Sequence, residues 1–307
     1  MRIAIMGSGG VGGYFGARLA QGGADVTFIA RGAHLAAMRE SGLRVESPLG
    51  DLHIPKPKVT DHPATVGPVD LVLFSVKLWD TEGAARSILP MVGPATGVIS
   101  FQNGVQKDDV LREVLGAQAV IGGVSYIAAV IGEPGLIRHS GKMQKLVFGE
   151  YDGSITARVE RLRGACAAGG IDHDLSTQIR QTIWEKFVFL VGLSGTTTTA
   201  RVPIGPIRGN QRSRAFLRDV MDEVVQVARA EGVPLPVDFA DNRLAFCDGL
   251  PPTMTSSMHN DLERGGRLEV PWLSGDVVVR GTRLGIPTPC NRAILDILSV
   301  HSEGRPA

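Results

Sequence analysis

Gly7-Ser8-Gly9-Gly10-Val11-Gly12 places glycines at the first, third and sixth positions of a G-x-G-x-x-G loop. Such a loop suits a dinucleotide. The first glycine permits a tight turn, the second lets the backbone approach a pyrophosphate, and the third lets helix and strand pack closely. A following helix adds free N–H groups and a partial positive charge for the phosphates. The next polar position of interest is Arg31, in Ala30-Arg31-Gly32. NAD binders carry an acid at this point to hold the ribose 2′-hydroxyl, whereas an arginine suits the 2′-phosphate of NADPH. Lys77 in Ser75-Val76-Lys77 and Asn103 in Gln102-Asn103-Gly104 each follow an apolar run. Either could face a ligand, and either could be a surface lysine or a simple Asn-Gly turn. Lys186 lies among Trp184, Phe187, Val188, Phe189 and Leu190. Desolvation disfavours an ammonium there and can bring a lysine into a catalytic range, although a snorkelling lysine reads the same way. Lys186, Leu190 and Ser194 share one helix face by their four-residue spacing. A second polar cluster runs Ser256-Ser257-Met258-His259-Asn260-Asp261, with Glu269 beyond it. Glu269 could orient a cationic lysine, while the serines could equally be helix caps.

Elements must hold these residues in place. Arg2–Met6 and Asp25–Ala30 read as buried strands flanking a helix over Val11–Gln21, a strand–helix–strand unit of the length a parallel crossover needs. Ala33–Glu40 reads as the next helix. Strands over Asp70–Val76, Gly97–Phe101 and Ala119–Ile127 alternate with helices over Thr81–Leu89 and Val105–Leu115, so Lys77 and Asn103 fall at strand carboxyl ends, where open parallel sheets bind ligands. From Gly132 the pattern changes: Ile137–Ser140 and Lys145–Glu150 suggest an antiparallel extension, followed by a helix over Ile155–Ala168. Past His173-Asp174 the pattern predicts only helices: Thr177–Thr198, Asn210–Glu231, Pro236–Phe246, Thr253–Arg264, Pro271–Leu284 and Asn291–Val300. The expected fold is α/β: a Rossmann-type doubly wound parallel sheet over residues 1–173 and an all-helical domain over 174–307.

Composition narrows the function classes. The chain has 307 residues, 43% hydrophobic and 21% charged, as ordinary globular protein has. With 32 basic and 31 acidic side chains there is no global pull toward nucleic acid or acidic membranes. No apolar run is long enough to span a bilayer. The opening MRIAIMGSGG reads as a strand entering a loop rather than a signal peptide. Cys166, Cys247 and Cys290 lie far apart and read as small core residues. His259 lacks partners at metal-ligand spacing, so no metal is expected. A cytoplasmic location is the expectation.

The GSGGVG loop, the arginine after the second strand, SVK, FQNG, the W-x-K helix and SSM…D…E together resemble the ketopantoate reductases (2-dehydropantoate 2-reductases), over nearly the whole chain. The resemblance implies a Rossmann domain with a helical partner and NADPH-dependent reduction of a 2-oxo acid, giving pantoate for pantothenate and coenzyme A synthesis. It implies that Lys186 is the proton donor to the forming alkoxide and Glu269 its partner. Gly7, Ser8, Gly9, Gly10, Val11, Gly12, Arg31, Lys77 and Asn103 would contact the cofactor, and Asn103, Ser257 and Ser194 the substrate. One departure is visible. Leu190 and Ser194 stand where characterised members carry asparagines, and a leucine cannot supply an amide's donor and acceptor. Another 2-oxo acid or a bulkier ketone is therefore an alternative substrate. A non-catalytic NADPH sensor is a third reading, against which Lys186 and Glu269 argue. The expected partners are a small 2-oxo acid and, in a possible homodimer, a second copy; nucleic acid and membrane are not expected.

Overall fold

The structure, a computed structural model, describes residues 1–305. Its contacts form two compact units: Met1–Asn103 with Lys107–Thr182, and Gly104–Gln106 with Ile183 onward.

The first unit is built on strands β1 (Arg2–Met6), β2 (Asp25–Ile29), β3 (Leu43–Glu46), β4 (Leu52–Ile54), β5 (Lys58–Thr60), β6 (Leu71–Phe74), β7 (Gly97–Ser100), β8 (Val120–Glu133), β9 (Leu136–Gly149) and β10 (Asp172–Leu175). Helices α1 (Gly10–Gln21), α2 (Gly32–Ser41), α3 (Thr81–Ser87), α4 (Gln106–Leu115) and α5 (Ala157–Ala168) connect them. The order across the sheet is β4-β3-β9-β8-β7-β6-β1-β2-β5, with β10 pairing β9. β1 pairs in parallel with β2 on one side and β6 on the other. The strand order reverses at β1, and its carboxyl end is where such sheets take ligands. Side-chain alternation explains the two-sided burial. Ile3, Ile5, Leu71, Leu73 and Ile99 join one core with Tyr14, Phe15 and Phe28. The intervening Ala4, Val72, Phe74 and Val98 join a second core with Ile88, Met91 and Leu111.

The expected strand–helix alternation is present, and the sheet is mixed. β3, β4, β5 and β10 are additions that the sequence pattern does not predict. They are three or four residues long and carry charged or imidazole side chains, as in Leu-Arg-Val-Glu and Asp-His-Asp-Leu. The expected fragments over Ile137–Ser140 and Lys145–Glu150 prove to be one strand, β9, paired antiparallel with β8 over fourteen residues. A register shift at Ile127/Ala128 absorbs the polar Gly141–Met143 stretch, which reads as a break in sequence.

The second unit consists of α6 (Ile179–Ala200, whose first residues lie in the first unit), α7 (Ile204–Gly209), α8 (Gln211–Ala230), α9 (Phe239–Asp248), α10 (Ser257–Glu263), α11 (Ser274–Leu284) and α12 (Pro289–Leu298). α7 is an addition to the expected set. Asn210 caps α8, its side chain accepting from the Arg212 and Ser213 amides. Gly192 lets α6 approach α8, since a Cβ there would fall 2.6 Å from Met221. Glu223 on α8 does the capping for α12. Its carboxylate accepts from Cys290 N at 2.7 Å, Asn291 N at 2.9 Å and Asn291 Nδ2 at 2.7 Å. Burial pushes the Cys166 thiol to about 12 and the Cys247 thiol to about 11; Cys290, half-buried beside Glu223, also rises to about 12. At ordinary pH such thiols stay protonated and are poor nucleophiles.

Candidate active site

The glycine loop divides its work between conformation, packing and access. Gly7 has φ +93°, and a Cβ there would fall 2.7 Å from Val76 N, so only glycine fits. Gly12 lies against Gly7 O, which a Cβ would approach to 2.2 Å; this closeness seats α1 on β1. Gly10 lies under β8, with Ala129 O at 2.1 Å from a Cβ built there. Gly9 differs from these three: a Cβ on it would meet nothing within 4 Å. The one open position is thus the second glycine of the pattern, where a pyrophosphate must approach the backbone. The first intrahelical donor bond of α1 runs from Gly13 N to Gly9 O, which leaves the Gly10, Val11 and Gly12 amides at the helix end without acceptors of that kind. These residues fit a dinucleotide. Ser8 plays a different part, since both its amide and its hydroxyl donate to Ile29 O, at 3.1 and 3.0 Å. It ties the loop to β2 and has no donor left for an anion.

His34 on α2 braces the loop from outside. Gly135 N donates to its Nδ1 at 3.0 Å, and its Nε2 lies 3.0 Å from Ser8 O. With Nδ1 accepting, Nε2 carries the proton and donates. Burial holds its pKa below the ordinary imidazole value, opposed by the Ser8 carbonyl.

Arg31 sits at the N-terminal boundary of α2, just past β2, with its side chain 77% exposed and Nη2 2.8 Å from Asp80 Oδ2. Lys77 is exposed, just beyond β6, and its ammonium lies 5.5 Å from the centre of the Trp79 ring. Because Gly7 packs against Ser75 and Val76, the loop, Arg31 and the Lys77–Asp80 segment gather at the carboxyl ends of β1, β2 and β6. Asn103 is half-buried and precedes Gly104, whose φ of +86° makes the turn. Its neighbour Gln102 is buried; it accepts from Ser100 Oγ at 2.9 Å and donates to Thr81 Oγ1 at 2.9 Å. Lys107 adds support, its ammonium donating to Ser100 O at 3.1 Å and pairing with Asp108 at 2.8 Å. Tyr151 closes this buried group, donating to Asp108 at 2.6 Å. Gln102 and Lys107 therefore fix the end of β7 from which Asn103 projects. Sequence reasoning missed both, because Q-N-G and Q-K-D-D look like solvated turn and helix start.

In the second unit, Lys186 is half-buried on α6 between the fully buried Trp184 and Phe187. Ser194 lies two turns further, about 12 Å along the axis. Its Oγ is buried without a hydrogen-bond partner among the described residues, as is that of Thr198 one turn on. By contrast, Thr196 and Thr197 donate back to Gly192 O and Leu193 O. Ser257 opens α10. Ser256, not Ser257, is the cap, accepting from His259 N at 3.0 Å. His259 Nδ1 lies 2.9 Å from Thr197 O, which ties the start of α10 to α6. Glu269 is nearly buried and immediately precedes a 3-10 turn over Val270–Trp272 that leads into α11. Ser274 at the start of α11 lies against Gly195 of α6, where a Cβ would stand 3.6 Å from its Oγ. α6 is thus the spine to which both the Ser257 and the Glu269 segments are attached.

A family model described as ketopantoate reductase PanE/ApbA matches residues 3–153, and the corresponding C-terminal model matches residues 178–302. The chain belongs to the ketopantoate reductase family. A 2-dehydropantoate 2-reductase of Halobacterium salinarum is 33% identical over 97% of this chain and 98% of its own length. The crystal structure of a PanE/ApbA family ketopantoate reductase from Ralstonia eutropha superposes with a TM-score of 0.89 at 36% identity, covering 98% of each chain. D-mandelate dehydrogenase, solved with NADH and anilino(oxo)acetate, shares the fold with a TM-score of 0.89 at 20% identity, over 98% of both chains. As a member of the ketopantoate reductase family, the chain is an oxidoreductase acting on a CH–OH/C=O couple with a nicotinamide cofactor. Among the described residues, no helix is long and apolar enough to cross a membrane.

Proposed function

We propose that this reductase is a cytoplasmic, NADPH-dependent enzyme that reduces a 2-oxo acid to the 2-hydroxy acid, with 2-dehydropantoate as the leading substrate. The observation that carries the reading is the loop in which Gly9 alone is open, followed at the end of β2 by Arg31 in place of an acid. When bound, the cofactor supplies the hydride. The chain supplies the rest. The amides at the start of α1 and the macrodipole of that helix hold the pyrophosphate. Arg31 takes the 2′-phosphate, and Lys77 and Asn103 line the nicotinamide side. Lys186 gives its proton to the oxygen that becomes the alcohol, acting as the general acid. Glu269 holds that lysine in place. Ser257 binds the substrate carboxylate, with Ser194 beside the rest of the substrate.

A second reading keeps this chemistry and changes the substrate. Leu190 offers no polar atom, and Ser194 presents a buried hydroxyl with no partner among the described residues. A site of this kind would favour a more apolar 2-oxo acid than ketopantoate, whose hydroxyl needs partners.

Initial rates of NADPH oxidation with ketopantoate, pyruvate, 2-oxoisovalerate and bulkier 2-oxo acids separate the readings. Highest kcat/KM on ketopantoate supports the first, and clear preference for an apolar 2-oxo acid supports the second. No turnover on the whole panel despite tight NADPH binding would leave a cofactor sensor. Lys186→Ala should lower kcat about 100-fold or more, the scale of a lost general acid. Near-normal turnover in that variant would overturn the assignment of Lys186.

A further inference from the structure

Asp80 stands at the N-terminal boundary of α3, where an aspartate ordinarily accepts from the first turn of the helix. Here it makes no capping bond. Its Oδ2 lies 2.8 Å from Nη2 of Arg31 instead. The segment that carries it is fixed. Asp80 N donates to Lys77 O at 2.9 Å, and Thr81 Oγ1 donates to Leu78 O at 2.7 Å. Gln102 in turn holds Thr81, and Ser100 holds Gln102. The carboxylate is therefore an anion built opposite Arg31 rather than a wandering surface charge.

We propose that Asp80 is a coenzyme-specificity residue, competing with the 2′-phosphate of NADPH for Arg31 and so lowering the preference for NADPH over NADH. The proposal rests on the reading of Arg31 as the 2′-phosphate contact. A guanidinium binds phosphate best with two parallel N–H donors, and the carboxylate already occupies one of its terminal nitrogens. An incoming 2′-phosphate must displace Asp80 or share the guanidinium with it. In both cases a fixed negative charge stays close to a phosphate of like sign. A ribose 2′-hydroxyl carries no charge and meets no such repulsion. Exposure sets the scale: the side chains of Arg31 and Asp80 are 77% and 35% exposed, so solvent screens the competition and its effect is modest.

The test is dinucleotide affinity, read by fluorescence titration of the full chain with NADPH and NADH. The proteins are the parent, Asp80→Asn, Arg31→Ala and the double variant. Asp80→Asn keeps the shape and removes the charge. It should tighten NADPH by about three- to tenfold, leave NADH within about twofold, and lose its gain as salt is raised. The gain should vanish in the Arg31→Ala background. If Arg31→Ala weakens NADPH but Asp80→Asn fails to tighten it, the proposal falls while the reading of Arg31 stands. If Arg31→Ala leaves the NADPH-to-NADH ratio unchanged, the reading of Arg31 falls and takes the proposal with it.

Discussion

Alanine substitutions in the glycine loop should separate stability from cofactor binding. At Gly9 a methyl group meets nothing within 4 Å, and φ is −73°, on the side that L-residues use. With no clash and only a small backbone term, Gly9→Ala should change stability by no more than about 1 kcal/mol. The same methyl occupies the space that a pyrophosphate needs, and dinucleotide affinity should fall at least about tenfold, or about 1.4 kcal/mol. At Gly12 the methyl would lie 2.2 Å from Gly7 O and 2.9 Å from a methyl of Ile5. Both neighbours are part of the β1–α1 joint, so the backbone must shift. Overpacking of this kind costs about 1–3 kcal/mol. At about 2–4 °C per kcal/mol for a unit of this size, Gly12→Ala should melt roughly 2–12 °C lower. Differential scanning fluorimetry and NADPH titration on the same preparations give both numbers. A Gly9→Ala protein that binds NADPH within twofold of the parent would refute the cradle. A Gly12→Ala protein as stable as the parent would refute the packing account.

Other consequences can be measured as directly. His34 has a depressed pKa in the folded chain, so the unfolded chain binds the proton more readily; the stability that neutral His34 contributes is full above about pH 6.5 and is lost as pH falls through its folded value. Melting curves should therefore show a smaller loss between about pH 7.5 and 5.5 in His34→Gln than in the parent; equal losses would remove His34 from the pH response. Glu223→Ala strands three donors at the start of α12 and should destabilise the chain by about 3 kcal/mol in urea unfolding. A change under about 0.5 kcal/mol would mean that water caps the helix equally well.

Legibility in the sequence follows physical scale. β1, α1 and β2 are readable because buried parallel strands are continuous apolar runs and the turn between them demands glycine. The short strands β3, β4, β5 and β10 are not, because their hydrogen bonds come from neighbours distant in sequence, as when Arg44 pairs with Leu136. Lysines show the same contrast. Lys186 stands out in sequence because its neighbours are apolar, yet it is only half-buried. Lys107, within Gln-Lys-Asp-Asp, looks solvated and has a side chain only 1% exposed. Besides its neighbour Asp108, its acceptors are the carbonyls of Ser100 on β7 and Gly123 on β8. The glycine pattern is visible in the sequence, but not the division of labour within it: that Gly10 faces a strand and Gly9 faces open space depends on where β8 runs. Asp80 is masked for a similar reason, since an aspartate before a helix reads as a cap.

Gly10 beneath Ala129 has a consequence for the order in which the molecule is made. At about 5–20 residues per second of synthesis, Ala129 follows Gly10 by roughly ten seconds. Ile137 on β9, which packs over Gly13, arrives later still, and β9 must then insert between β3 and β8. Through that interval the nascent chain carries the glycine motif without the walls that β8 and β9 supply, and Tyr14 and Phe15 lack some of the neighbours that bury them in the finished sheet. Fragments ending before Gly149 therefore carry an uncovered apolar face. The glycine motif is made well before the strands that complete it, and until β9 arrives the growing chain carries an apolar face open to aggregation and to chaperones.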